Sequence, residues 1–492
     1  MRRLSAATLP LVDSALRRDA DPSATGVVHL GLGAFSRAHQ AVYTAGALAD
    51  PGGDRAWGIC GVTQRSAAVV EQLRPQDGLY SVLTRSAEGT ALQVVSVVRD
   101  VLFAKQETDR LLTLLAAPAT RLITLTVTEK GYCHDPATGR LRSDDPAVAS
   151  DLAGGQPVTV VGQLARGLQA RRAAGAEPVS LLSCDNLPAN GQALRGLVLE
   201  FCARLPDGEA LAAWVDSAVA FPSCMVDRIV PATTDEDRAE ASALLGLEDR
   251  GVVVTEPFRQ WVIEDAFAAG RPAWERAGAV LTSDVAPYEV MKLRLLNGSH
   301  STLAYLGALA GRATVAEAVA EPGLAALVPR LMSDDVVPTL QVPAGFDVGA
   351  YCAQLQERFA NPALHHRTAQ IAMDGTQKLP QRLLGTVRDR LNSGGEPRLA
   401  CLGVAAWMRY VSTGRADDGS LLPLDDPMAD RLRALTAGAD TPAQTVSALL
   451  TLTEVFGADL PQDAVFRELV SDGLTALCRD GARGAVRALA LA

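Results

Sequence analysis

The residues best equipped for chemistry lie in Met291-Lys292-Leu293-Arg294-Leu295-Leu296-Asn297-Gly298-Ser299-His300. Of 46 basic residues only four are lysine (Lys105, Lys130, Lys292, Lys378), and the rest are arginine. Arginine serves for surface charge but cannot lose its proton near neutral pH, so a retained lysine marks a place for a titratable amine. Lys292 falls in a stretch, 287–306, that reads as one helix with Pro287 in its first turn. At about 100° per residue, Glu289 lies roughly 60°, His300 roughly 80° and Asn297 roughly 140° around from Lys292. Four polar groups then share one side of a helix that Met291, Leu293, Leu295, Leu296, Leu303 and Leu306 make apolar nearly all round. Desolvation there disfavours the ammonium form, which suits Lys292 to act as a general base or a Schiff-base nucleophile. Asn297 can donate to developing oxyanion charge, and His300 can orient a substrate hydroxyl. The plainer alternative is a solvated helix face.

A second polar segment, Ser183-Cys184-Asp185-Asn186-Leu187-Pro188-Ala189-Asn190-Gly191, ends a strand. Ligands of open α/β sheets gather at the carboxyl ends of strands, which places Asp185 and Asn186 well. The same residue types also make ordinary turns. The elements that must hold these groups begin at Val27-Val28-His29-Leu30, followed by Gly31-Leu32-Gly33-Ala34-Phe35-Ser36-Arg37-Ala38-His39-Gln40. An apolar run, two glycines and a helix-compatible stretch make the β-turn-α start of a dinucleotide-binding unit. Small residues let the backbone approach a pyrophosphate, and the helix start offers free N–H groups. Ser36 stands where a third glycine is usual. Further strands are expected at 57–62, 94–98, 122–127 and 179–184, while 158–161 reads as strand or helix. This alternation argues a mainly parallel α/β sheet. After about Tyr288, stretches rich in Ala, Leu, Arg and Glu dominate. The expected architecture is α/β: a Rossmann-type, mainly parallel sheet domain over 1–285 and a mostly α-helical C-terminal domain over 286–492.

A length of 492 residues fits two or three domains, and 48% hydrophobic with 21% charged residues fits a globular protein. A net charge of −10 argues against nucleic acid or an anionic membrane surface as partner. No uncharged apolar run reaches the roughly 18 residues of a membrane span. Met1-Arg2-Arg3-Leu4 is followed by Pro10, Asp13 and Arg17, which do not make a signal-peptide core. The eight cysteines contain no C-x-x-C pair and sit in apolar context, as buried thiols of a reducing cytoplasm do. Neither a disulfide framework nor a metal site is expected. The expected partner is a small molecule, on a monomer or small homo-oligomer.

Together these segments, with Thr126-Val127-Thr128-Glu129-Lys130-Gly131-Tyr132 and Phe221-Pro222-Ser223-Cys224-Met225-Val226-Asp227-Arg228, resemble the long-chain mannitol dehydrogenase family. That family includes mannitol 2-dehydrogenases and fructuronate reductases (D-mannonate oxidoreductases), and the resemblance runs over most of the chain. It implies a metal-independent, NAD-linked oxidoreductase with Lys292 as general base. Asn186 and Asn297 then bind the oxyanion, His300 orients substrate, Glu289 gates proton exchange and Asp227 belongs to the same site. The cofactor is expected on Gly31, Gly33, Ala34, Phe35 and Arg37, and on Thr128 and Glu129. No acid follows the second strand until Glu71, whereas Arg65 there could accept a 2′-phosphate, so NADP is an alternative to NAD. The stretches Glu256-Pro257-Phe258-Arg259-Gln260-Trp261 and Asp374-Gly375-Thr376-Gln377-Lys378-Leu379-Pro380-Gln381-Arg382 are closer to fructuronate reductases. A hexuronate carboxylate wants a nearby cation, for which Arg367, Lys378 and Arg382 are candidates. The alternatives are a mannitol 2-dehydrogenase or other polyol dehydrogenase, a nucleotide-binding sensor without catalysis, and a Schiff-base aldolase.

Overall fold

Period-two alternation along the first apolar run produces a strand whose two faces serve two cores. In the computed structural model, which describes residues 1–17, 20–135, 138–364 and 366–490, β1 (Thr25–Leu30) sends Val28 and Leu30 into one core and Val27 into the other. It lies at the centre of a five-stranded sheet with β2 (Gly58–Thr63), β5 (Val98–Phe103), β6 (Leu122–Leu125) and β7 (Ser180–Ser183), in the order β5-β2-β1-β6-β7. Every pairing in this sheet is parallel. The helices Thr108–Ala116, Val160–Ala173 and Asn190–Ala203 cover one face, and Gln40–Ala49 and Ala68–Leu73 supply residues to the core on the other. This is a Rossmann-type doubly wound sheet.

Two expectations change here. The run 94–98 is not one strand. It is the corner between β4 (Gly89–Val95), which pairs antiparallel with β3 (Tyr80–Ser86), and β5 of the main sheet. An apolar run satisfies either sheet, so composition alone does not reveal the corner. The segment 158–161 takes its helical alternative: Thr159 caps the helix Val160–Ala173 by accepting from the Gly162 N–H. Two small sheets complete the unit, β4-β3-β9 with β9 at Val253–Thr255, and β11-β10-β8 from Val280–Thr282, Gln260–Glu264 and Cys224–Asp227.

Contacts divide the chain into Met1–Ala286 and Pro287–Ala492. The second unit is helical, built round Ser299–Leu309, in which every residue is buried. A helix apolar on all sides belongs in a core. It packs on Arg398–Thr413 across Gly403, where a Cβ would lie 2.7 Å from Thr302 Oγ1. No helix among the described residues is long and apolar enough to cross a membrane.

Candidate functional site

In the Rossmann unit the expected cofactor residues follow the carboxyl ends of β1, β2 and β6, and Asn186 follows that of β7; the four strands are adjacent and parallel. Gly31 has φ +98°, and a Cβ there would lie 2.1 Å from the Thr126 carbonyl oxygen, so only glycine fits. A Cβ on Gly33 would instead meet nothing nearer than the Gly31 oxygen at 3.7 Å, leaving open space beside the helix that starts at Ala34. That opening suits the close backbone approach a dinucleotide pyrophosphate requires. Ser36 accounts for the missing third glycine: its hydroxyl oxygen accepts from the Gly33 N–H at 3.2 Å and caps the turn. Gly31, Gly33, Ala34 and Phe35 are half-buried along this turn.

Arg37 differs from expectation. Its buried guanidinium donates to the carbonyls of Gly33 and Gly251 and lies over the Tyr80 ring. It braces the turn from behind. Arg65 and Glu129 are exposed in the loops after β2 and β6.

Two buried networks position these loops, one centred on His29 and one on Asp185. His29 bonds Thr124 Oγ1 at 2.7 Å and Thr126 Oγ1 at 2.8 Å, and the Thr126 hydroxyl donates to the Gly31 carbonyl. Burial pushes His29 down to about 4, so it is neutral, and donation from its Nε2–H to Thr126 satisfies each atom of the chain. Asp185, already favoured by its place after β7, accepts from the Val127 N–H (2.9 Å), the Thr128 N–H (3.0 Å) and the Tyr132 hydroxyl (2.7 Å). These bonds hold Thr128 at φ +67°, a strained position for a β-branched residue. Asn190 donates to the carbonyls of Asp185 and Cys224 and accepts from the Cys224 N–H. It ties the Asp185–Asn186 loop to β8, whose last residue is the buried Asp227. Asn186 is exposed.

In the helical unit, 287–306 is not a single α-helix. Ala286–Met291 passes into a π segment, Lys292–Gly298, before α-helix resumes at Ser299. A π turn holds an extra residue, so the angles of a 3.6-residue wheel fail across it. Lys292 opens the segment and is buried, 6% exposed; Asn297 and Glu289 are half-buried. Two further π segments, Leu331–Val336 and Pro380–Leu384, pack on the first. Arg294 anchors it from within, donating to Thr339 Oγ1 and Asp389.

His300 is buried with its ring centroid 5.0 Å from Phe359 and 4.7 Å from His366. Burial, then His366, Arg382 and Arg358, hold it well below the usual histidine range, so it is neutral. Of the carboxylate candidates, Arg382 donates to Ser301 Oγ at 3.0 Å, beside His300. Lys378 is committed elsewhere: its ammonium donates to the carbonyls of Ile371 and Met373 and lies 3.8 Å from Asp374. Arg367 is exposed before the helix Thr368–Ala372. Among the described residues no group of three or more His, Cys, Asp or Glu is placed to hold a metal ion.

The comparisons agree in kind. The mannitol dehydrogenase Rossmann domain model matches residues 25–276, and the mannitol dehydrogenase C-terminal domain model matches 284–478. The chain is 44% identical to an Escherichia coli D-mannonate oxidoreductase, covering 94% of this chain and 95% of that protein. It is 40% identical to a Pyrenophora tritici-repentis mannitol 2-dehydrogenase, covering 93% and 80%. The solved ternary complex of Pseudomonas fluorescens mannitol 2-dehydrogenase with NAD and D-mannitol superposes with a TM-score of 0.85 at 35% identity, covering 99% of each chain.

Proposed function

The chain belongs to the mannitol dehydrogenase family, and from that premise we propose that it is an NAD-linked oxidoreductase interconverting the ketone and secondary alcohol of a sugar acid, fructuronate and D-mannonate. The observation that carries the reading is Lys292: an amine buried to 6% exposure at the start of a π segment whose far end presents Asn297 and leads into His300. The open space at Gly33 and the tight turn at Gly31 fit a dinucleotide, held by the turn from Gly31 to Phe35 and by the Thr128–Glu129 loop.

When bound, the cofactor supplies the hydride acceptor or donor. The remaining steps fall to side chains. In oxidation Lys292 Nζ, as the neutral amine, takes the hydroxyl proton; in reduction it returns that proton as an ammonium. The Asn297 amide donates to the oxygen that carries the developing charge, and Asn186 is assigned a second donor role. Neutral His300 orients a neighbouring hydroxyl and Glu289 passes the proton to and from Lys292; the family resemblance assigns Asp227 a polar role as well. No step calls for a metal.

For the sugar acid, the support is Arg382, whose guanidinium sits on Ser301 next to His300. One spectrophotometric panel tests the whole reading: NADH and NADPH crossed with fructuronate, tagaturonate and fructose, with and without EDTA. Fructuronate reduction unaffected by EDTA is expected. Preference for fructose would move the substrate to a polyol, and binding without turnover of any ketose would favour a catalytically silent sensor.

A further inference from the structure

One residue of the Rossmann unit keeps a backbone conformation that its own side chain opposes. Thr128, three residues after β6, has φ +67° and ψ 159°. That region is essentially reserved for glycine, and a residue with a Cβ stays in it only where its surroundings offset the strain. Among the described residues the other non-glycine positions of positive φ are Asp77, Cys133, Ala189, Asp207 and Asp374. All five take the ordinary left-handed turn. Thr128 stands apart from them, and strain of this kind collects where a ligand is held.

The compensation comes from the neighbouring strand. Asp185, two residues after β7, accepts from the Thr128 N–H through Oδ1 at 3.0 Å and from the Val127 N–H through Oδ2 at 2.9 Å. Both N–H groups of the strained turn therefore face one carboxylate. Its direction is fixed independently of the turn. The fully buried Tyr132 donates to Oδ2 at 2.7 Å, with its oxygen 2.6 Å from Ser183 Oγ, and Asn190 donates to the Asp185 carbonyl at 3.1 Å. The turn also lies against the dinucleotide motif. A Cβ on Gly31 would come within 2.1 Å of the Thr126 carbonyl oxygen and 3.1 Å of Val127 Cγ1. Relaxation of Thr128 would swing the chain that follows Val127, and with it the exposed Thr128 and Glu129.

We propose that Asp185 is a positioning residue of the cofactor site. By bonding both N–H groups it holds Thr128 in a glycine-like conformation that presents Thr128 and Glu129 to the dinucleotide, beside the turn from Gly31 to Phe35. The assignment rests on the cofactor reading above and adds the residue through which that loop is held. Threonine has a purpose there: glycine would reach the same conformation without strain but would sample many others, which binding would have to order.

The test is a double-substitution cycle read by NADH fluorescence titration, with thermal melting alongside, in the full-length protein and in Asp185→Asn, Thr128→Gly and the pair. Asparagine offers the turn one oxygen and one NH2 group, which leaves a backbone N–H without an acceptor. Its Kd for NADH should rise roughly 10- to 100-fold. Glycine takes φ +67° freely, so Thr128→Gly alone should weaken NADH binding only a few-fold. In the Asp185→Asn background it should recover most of the lost affinity, a strongly non-additive result. A purely structural role for Asp185 would show no such rescue. Tyr132→Phe covers the case in which Asp185→Asn fails to fold: it loosens the aim of the carboxylate, should weaken NADH binding several-fold, and should be rescued by Thr128→Gly in the same way. Additive losses, or a lowered melting temperature with NADH affinity unchanged, overturn the positioning role. If the unaltered protein binds neither NADH nor NADPH, the cofactor reading itself fails.

Discussion

A lysine can serve as general acid and base where it exchanges its proton inside the site, and Lys292 is buried to 6% exposure in a largely apolar helix. Lys292→Ala is therefore expected to lower turnover by about 10²- to 10⁴-fold, the usual worth of a positioned proton-transfer group. Lys292→Arg should be nearly as slow, because guanidinium stays charged at every working pH. Steady-state rates alongside NADH fluorescence titrations check this, and an arginine variant retaining a tenth of the activity would remove Lys292 from the proton path. At this scale chemistry and scarcity single out Lys292 in the sequence, and the structure buries it at the start of a π segment. The sequence is opaque where a residue acts through backbone partners. Nothing in the spacing of Asn190 shows its amide bonding both the Asp185 and Cys224 backbones, 5 and 34 residues away. Nor does any local pattern reveal that Arg37 is spent on carbonyls 4 and 214 residues away.

Among elements, the three π segments are the feature that hydrophobic periodicity cannot detect. A test for a 3.6-residue repeat finds the apolar faces on either side of Lys292–Gly298 and joins them, because the inserted residue shifts the register without changing composition. The same blindness made one strand of 94–98, whereas β1 and its glycine turn were readable because alternation, then glycine, then helix is a local signature. The contact between π segments is testable through Gly298. A Cβ there would lie 2.6 Å from the Arg382 carbonyl oxygen, and backbone does not yield cheaply. Gly298→Ala should destabilise by about 1–3 kcal/mol and reduce the ratio of kcat/KM for fructuronate to that for fructose, with Arg382 displaced. An unchanged melting temperature would mean that the segments part freely. A second π segment holds Asp335, whose Oδ2 accepts from the Leu399 and Ala400 N–H groups at the start of Arg398–Thr413, at 2.9 and 2.8 Å. Burial outweighs those bonds and raises its carboxyl from 3.8 to about 6. Between these values the folded state binds the proton and the unfolded state does not, so stability falls as pH climbs through the window and levels above it. Asp335→Asn removes that slope. Urea unfolding at pH 4 and pH 7 should show the two proteins' stabilities shifting relative to each other by up to about 3 kcal/mol, and parallel behaviour would mean that Asp335 titrates normally.

For the whole molecule, binding of the dinucleotide is readable as stability, since a ligand at 100 times its Kd adds about 2.7 kcal/mol to a native state that alone binds it. Which dinucleotide does so depends on the loop after β2. In Rossmann sheets an acid there bonds the ribose hydroxyls and repels a 2′-phosphate. Here the loop reads Thr63-Gln64-Arg65-Ser66, Arg65 is exposed, and Glu71 comes only within the helix Ala68–Leu73. Gln64 is occupied with Gln163 across the fold, at 2.9 Å, which leaves Arg65 as the charged group facing outward from this loop. The chain should therefore accept NADPH as well as NADH, with both raising the melting temperature. Arg65→Glu should abolish most of the NADPH shift while leaving the NADH shift in place, a change of roughly 10- to 100-fold in NADPH affinity from one charged hydrogen bond lost and a like charge introduced. Equal loss of both shifts would show that Arg65 supports the turn rather than the phosphate. Stabilisation of the unaltered protein by NADH alone would assign the ribose to another group of the same loop, with Gln64 the first to examine.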